Sequence, residues 1–238
     1  MDALLSAQKV TVLTGAGVSA ESGILTFRDV QTGLWSKYRP EDLATPEAFL
    51  RDPKLVWEWY EWRRGVVSKR EPNPGHFALA KIEELIPDFT LITQNVDNLH
   101  RKAGSRNVIE LHGNIQRTKC FDEGCVIESW DETEYAPPRC PRCGGMLRPD
   151  VVWFGEMLPE AAIEQAFQAA ISCDIFFSIG TSGLVQPAAS LPLAALQSQA
   201  VIVEINPEET PLTSIVTYHL RGFSGVLLPD LVDAVWGN

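Results

Sequence analysis

The chain has 238 residues, 45% of them hydrophobic, with a formal net charge of −11 and a pI of 4.8. That acidic balance argues against a nucleic-acid partner, because phosphate binding needs clustered lysine and arginine. No uncharged apolar run reaches the roughly 18 residues of a membrane span, and the opening MDALLSAQKV has no positive leader followed by an apolar stretch. A cytoplasmic, monomeric enzyme with no membrane partner is expected, long enough for one large domain or two lobes.

The first informative stretch is KVTVLTGAGVSAESGILTFR, residues 9–28. Residues 10–13 are β-branched and apolar, and of strand length. Gly15-Ala16-Gly17 breaks the run, and a helix-competent segment with Ser19, Ala20 and Glu21 follows. Such a turn gathers bare backbone N–H groups and a positive dipole end, which suits a phosphate or pyrophosphate. The spacing Gly15-x-Gly17-x-x-Ala20 is the dinucleotide fingerprint with alanine third. A plain strand-to-helix turn accounts for the same glycines. Where a second strand and its acidic residue normally follow, the chain reads QTGLWSKYRPEDL. A cofactor would therefore be gripped by a long loop, outside the usual hydride-transfer unit.

Residues 30–50 read as loop and short helices. The segment 52–70, DPKLVWEWYEWRRGVVSKR, reads as a helix with Trp57, Tyr60 and Arg63 along one side. Residues 76–85 form an amphipathic helix after Pro72 and Pro74. Strands are expected over 89–93, 108–111, 174–178 and 201–205, with 151–156 a further strand or extended edge. Helices are expected over 159–170, 191–199 and 227–236. Alternating strands and helices imply an α/β fold, a doubly wound parallel sheet. Its strand ends, TGAG, TQNVD, LHGN, GTS and INPE, put small or polar groups on one edge, where such sheets bind ligands. Segments 34–76 and 119–147 interrupt the alternation. They are expected to form a small lobe against a large lobe of 1–33, 77–118 and 148–238, with the ligand in the cleft.

Five cysteines suggest metal or thiols rather than disulfides in a cytosolic chain. Cys120-x4-Cys125 and Cys140-x2-Cys143 lie fourteen residues apart. They read as a four-thiolate zinc site, structural because no ligand position stays open; the plainer alternative is four free thiols. Cys173, in AAISCDIFF, reads as a small core residue. His112 ends a strand beside a glycine and suits general-base work at neutral pH, or else a capping or core hydrogen bond. His100 reads as structural, His76 sits at a helix start, and His219 lies in an irregular tail. Asn95 and Asp97 suit ribose hydroxyls or a carboxamide, and equally suit a turn.

In this order, GAGVSAESGILTFR, TQNVDNLH, ELHGN, the paired cysteines, VVWFGE, GTS and INPE resemble the sirtuins, the NAD-dependent protein-lysine deacylases. The resemblance runs over essentially the whole chain. It implies a Rossmann-like lobe, a small zinc-binding and helical lobe, NAD as co-substrate, and one structural zinc ion on Cys120, Cys125, Cys140 and Cys143. It implies that Gly15, Ala16 and Gly17 approach the pyrophosphate and that Phe27 and Arg28 belong to a cofactor loop. Gln94, Asn95 and Asp97 would line the ribose and nicotinamide pocket. Gly180, Thr181, Ser182, Asn206 and Glu208 would hold the adenosine half, with Ser224 at a late adenine-contacting position. Phe154, Gly155 and Glu156, with Val152, would form the edge along which an acyl-lysine peptide adds as a strand.

The reaction so implied begins with attack of the acyl amide oxygen on C1′ of the nicotinamide ribose, and nicotinamide leaves. His112, as catalytic base, takes a proton from a ribose hydroxyl; the activated hydroxyl takes the acyl group, and water gives free lysine and O-acyl-ADP-ribose. Tyr60, Arg63 and Ala44 resemble the branch that prefers succinyl- and malonyl-lysine. One helical turn sets a phenol beside a guanidinium, where a terminal carboxylate can bind, and Ala44 leaves room for the longer chain. Without the resemblance, Arg63 reads as a solvated helix charge paired with Glu58. Leu25 and Thr26 depart from the proline and aspartate usual in the family. The nearest rival is a mono-ADP-ribosyltransferase on the same fold, followed by an NAD dehydrogenase and a non-catalytic NAD sensor.

Overall fold

The structure is a computed structural model that describes residues 2–24, 39–131 and 135–237. Its centre is β1 (Lys9–Thr14), buried on both faces from Val10 onward. β2 (Asp88–Thr93) and β6 (Ile175–Ile179) flank it in parallel register, with Val12 opposite Leu91 on one side and Phe177 on the other. β3 (Val108–Glu110), β7 (Val201–Asn206) and β8 (Tyr218–Arg221) complete a six-stranded parallel sheet of order β3-β2-β1-β6-β7-β8.

Side chains alternate along each strand, so successive residues of β1 feed opposite cores. Val10 and Val12 pack with Leu79 and Ile82 of α5 (Pro74–Leu85) and Leu228 of α9 (Ser224–Trp236). Leu13 packs on the other face with Ala166 and Ala170 of α7 (Glu160–Ser172) and Leu191 of α8 (Leu191–Gln197). Each fully buried Leu, Ile or Val contributes about 1.5–3 kcal/mol. The central strands are largely apolar because helices cover both faces of the sheet.

A second unit is built from α3 (Pro46–Arg51), α4 (Pro53–Ser68), and the antiparallel pair β4 (Gly113–Cys120) and β5 (Leu147–Val151). Thr45 and Asp52 cap the two helices through Ala48 N and Leu55 N, at 3.1 and 3.0 Å, and each helix has proline in its first turn. Phe49, Val56, Trp59, Tyr60 and Trp153 form its core. Arg64 ties α4 to β4 by donating to the Ile115 carbonyl at 2.7 Å.

The structure corrects three readings. Residues 152–156 are no strand, since β5 ends at Val151. His219 lies in β8 rather than in an irregular tail. Glu58 pairs with Lys54 at 3.7 Å, not with Arg63. No described helix is long and apolar enough to cross a membrane.

Candidate active site and metal centre

The carboxyl edge of the sheet carries the site. Crossovers leave β1 and β6 in opposite directions, and their following turns meet there. Gly15 N donates to Ile179 O and Gly17 N to Gly180 O, each at 3.0 Å. A Cβ on Gly15 would stand 2.7 Å from the Gly180 carbonyl oxygen, and one on Gly17 2.7 Å from the Gly180 Cα. Gly180 has φ +59, and a Cβ there would lie 2.6 Å from Val18 N. The three glycines are thus required by backbone-to-backbone contact as well as by the turn itself. Such a switch point is where open α/β sheets hold ligands. A cavity of about 100 Å³ opens here, lined among others by Leu13, Gln94, Ser178, Thr181 and Val185.

The segment after β2 ties into the same turn. Asn95 Nδ2 donates to Gly15 O at 3.0 Å and to Ser19 Oγ at 3.1 Å. Ser19 also hydrogen-bonds Asp97, which accepts from Leu99 N at 2.9 Å. Burial raises the Asp97 carboxyl above its ordinary value, opposed by these bonds and by the Arg63 guanidinium. Ser19 was not singled out from the sequence; its signal was a serine on the first helix after a glycine turn.

His112 follows β3. Its Nδ1 lies 2.8 Å from the Gln94 carbonyl oxygen. A carbonyl only accepts, so Nδ1 carries the proton and Nε2 keeps its lone pair. Burial lowers the His112 pKa, partly opposed by the Gln94 bond, which keeps the ring neutral and basic at neutral pH. The backbone continues the chain of contacts, with Val152 N donating to His112 O and Phe154 N to Ala44 O, both at 2.9 Å. Gly15, Asn95, Gln94, His112, Val152, Phe154 and Ala44 are thereby linked into one surface.

On that surface Phe154 is 60% exposed, and Gly155 adopts φ +87. Glu156 turns inward to Arg148 Nη2 at 2.9 Å and to Trp153 N at 2.7 Å. Ala44 and Tyr60 are buried in one core with Trp153, and Tyr60 accepts from Trp153 Nε1 at 2.9 Å. Arg63 is half-buried, and desolvation lowers its pKa against the pull of Asp97 and Tyr60.

At the other end, Asn206 Nδ2 donates to Thr181 O at 2.7 Å, while Ser182 and Glu208 are exposed. Ser224 is buried and donates to Glu21 Oε1 at 2.9 Å, as does Gly225 N, so Glu21 caps α9. Ser224 is engaged in that internal contact. Phe27 and Arg28 lie outside the described residues. The fit to a dinucleotide rests on the glycine contact, the inward amide of Asn95 and the free Nε2 of His112.

The metal cluster sits at the tip of β4–β5. Sulfurs of Cys120, Cys140 and Cys143 and a carboxylate oxygen of Glu123 lie within 4.8 Å of one another. The Cys120 and Cys143 sulfurs are 3.5 Å apart, close to the ~3.8 Å expected across a tetrahedral zinc with bonds near ~2.3 Å. Glu123 N and Gly145 N donate to the Cys120 and Cys143 sulfurs at 3.5 and 3.4 Å, as suits thiolates. Cys125 stands beside this set, with its thiol 3.6 Å from Glu123 Oε2. The donor set fits one zinc ion. Cys173 is buried away from it, its thiol pushed up to about 11 chiefly by burial.

This fold and edge define a dinucleotide-binding α/β protein with a cysteine metal module. Residues 15–187 match the family model described as the Sir2 family, and the chain belongs to that family. It is similar to an NAD-dependent protein deacylase of Aquifex aeolicus (strain VF5), 54% identical over 227 residues and 94% of both chains. A relative of the same description in Pyrococcus abyssi is 51% identical over 98% of this chain and 95% of its own. A solved Sir2 homologue–NAD complex superposes with TM-score 0.91 at 49% identity, over 98% of this chain and 91% of that one. A Sir2 bound to acetylated peptide gives TM-score 0.87 at 29% identity, over 100% and 97%.

Proposed function

We propose that this chain is an NAD-dependent protein deacylase that removes acyl groups from lysine, succinyl and malonyl as well as acetyl, releasing nicotinamide and O-acyl-ADP-ribose. High identity to proteins so described supports the deacylase reading. The observation that carries it in the structure is His112, with its proton held on Nδ1 by Gln94 and a free Nε2 at the glycine edge. NAD supplies the nicotinamide–ribose bond whose cleavage allows acyl transfer. His112 Nε2 takes the proton from a ribose hydroxyl, Asn95 and Asp97 orient the ribose, and the turns at Gly15 and Gly180 seat the phosphates. Trp153 and Phe154 keep water from the acyl amide, a weak nucleophile that needs close positioning.

The acidic-acyl reading is carried by Tyr60 and Arg63, one turn apart on α4, with the small Ala44 in the same core as Tyr60. A protonated phenol and a guanidinium give a terminal carboxylate two charge-assisted hydrogen bonds. Zinc on the cysteine module is structural. Mass spectrometry of acetyl-, succinyl- and malonyl-lysine peptides, with and without NAD, tests both levels. Removal that requires NAD and yields nicotinamide is expected. Transfer of ADP-ribose onto protein without acyl loss would replace the assignment.

A further inference from the structure

Trp153 is buried against one charged pair, Arg148 and Glu156. The Arg148 guanidinium carbon stands 3.3 Å from the centroid of its ring, and the Arg148 side chain is only 3% exposed. The same guanidinium donates to the Val151 carbonyl at 2.8 Å and to both carboxylate oxygens of Glu156. Glu156 in turn accepts from the Trp153 amide. The indole also packs against Phe49, with centroids 5.3 Å apart and the rings tilted by 46°. Held by Arg148 over its ring, by Phe49 beside it and by Glu156 at its backbone, the indole donates its N–H to Tyr60.

An indole N–H only donates. Its contact with Tyr60 therefore occupies a lone pair on the phenol oxygen and leaves the phenolic proton to point elsewhere. Burial raises the Tyr60 pKa far above the ordinary range, so that proton stays in place at any working pH. The hydroxyl is thereby set as a donor, next to the Arg63 cation that interacts with it. A donor paired with a cation suits an anion. A neutral acyl chain would leave the buried donor unmatched, which is unfavourable.

We infer that Trp153 is a specificity-determining residue: its indole N–H fixes the Tyr60 hydroxyl as a donor toward an acyl chain that ends in carboxylate, and Arg148 is the positioning residue that fixes the indole. This rests on the acidic-acyl reading above and extends it to Trp153 and Arg148.

The test measures kcat/KM for succinyl- and acetyl-lysine peptides on the full chain and on Trp153→Phe, Tyr60→Phe, the double variant and Arg148→Lys. The quantity read is the succinyl-to-acetyl ratio, in which any unfolded fraction cancels because both peptides meet the same preparation. Trp153→Phe is expected to lower the ratio about tenfold, the scale of one hydrogen bond to a charged group, through KM for the succinyl peptide, with KM for NAD within about twofold. The double variant is expected to be no worse than Tyr60→Phe alone, because both changes remove one device. Arg148→Lys keeps the charge but loses the fork and should lower the ratio in the same direction. An unchanged ratio in Trp153→Phe, or multiplying effects in the double variant, overturns the inference while the acidic-acyl reading survives. Absence of any succinyl preference in the unaltered chain overturns both.

Discussion

At His112 a single hydrogen bond chooses the tautomer. The Gln94 carbonyl fixes the tautomer, and burial sets the pKa below the ordinary 6.5. The acid limb of kcat/KM against pH is therefore expected to fall below 6.5, and a limb centred above that value would remove His112 as the base. His112→Ala should cost about 10²–10⁴-fold in kcat, the range of general-base catalysis, with nicotinamide release the readout. Arg63→Met should abolish succinyl turnover and spare acetyl turnover, whereas equal loss of both would refute its part in choosing the acyl group. The Arg148–Glu156 pair is structural as well as orienting. Glu156→Gln leaves a buried guanidinium short of its counter-charge and should lower stability by about 3 kcal/mol in urea titrations.

Among the elements, α5 has the most heavily engineered start. Asn73 caps it at Gly75 N, and its amide donates to Val18 O at 2.8 Å and to Ser22 Oγ at 3.0 Å, which joins the helix to the first glycine turn. His76 completes the capping box and lies 4.8 Å, centroid to centroid, from buried His100, whose Nε2 meets Thr14 Oγ1 at 2.9 Å. Burial depresses both imidazoles, His76 to about 4. Above pH 6.5 the rings are neutral in folded and unfolded chains alike, and their contribution is fully present. Below it the unfolded chain takes up protons that the native state resists, so stability declines from pH 6.5 towards 4. Urea midpoints should drop across that window, and His76→Gln should flatten the decline. An equal slope in the variant would contradict this.

The same scale shows what the letters disclose. β1, β2, β6 and β7 are legible because buried parallel strands are rich in β-branched and apolar residues, and their polar ends mark the candidate ligand edge. β4 reads GNIQRTKC, with a bulge between Asn114 and Thr118, and β5 contains Pro149. A short ribbon of polar residues leaves no periodicity to detect, and β8 is a four-residue edge. The Tyr60–Trp153 contact spans 93 positions. Neither propensity nor spacing can announce such a pairing, although both residues stood within recognisable motifs.

For the molecule as a whole, an ionic lattice joins sheet to metal module. Glu110, at the end of β3, accepts from Arg101 Nε at 3.1 Å, Arg117 Nη1 at 2.6 Å and Asn114 Nδ2 at 2.9 Å. Arg117 also reaches Asp150 of β5 at 2.8 Å. Glu110→Gln should lower Tm by several degrees, since about 2 kcal/mol moves a chain of this size by roughly 4–8 °C. Chelation of the metal should lower Tm and abolish turnover together. Cadmium, equally content with thiolates, should restore both if the ion is structural. The fused glycine turns carry one last consequence. Because the loops behind β1 and β6 touch main chain to main chain, neither can be redesigned without the other: a methyl group at position 15, 17 or 180 would prise the two turns apart. Any change of side chain at one of these positions must therefore move both turns together.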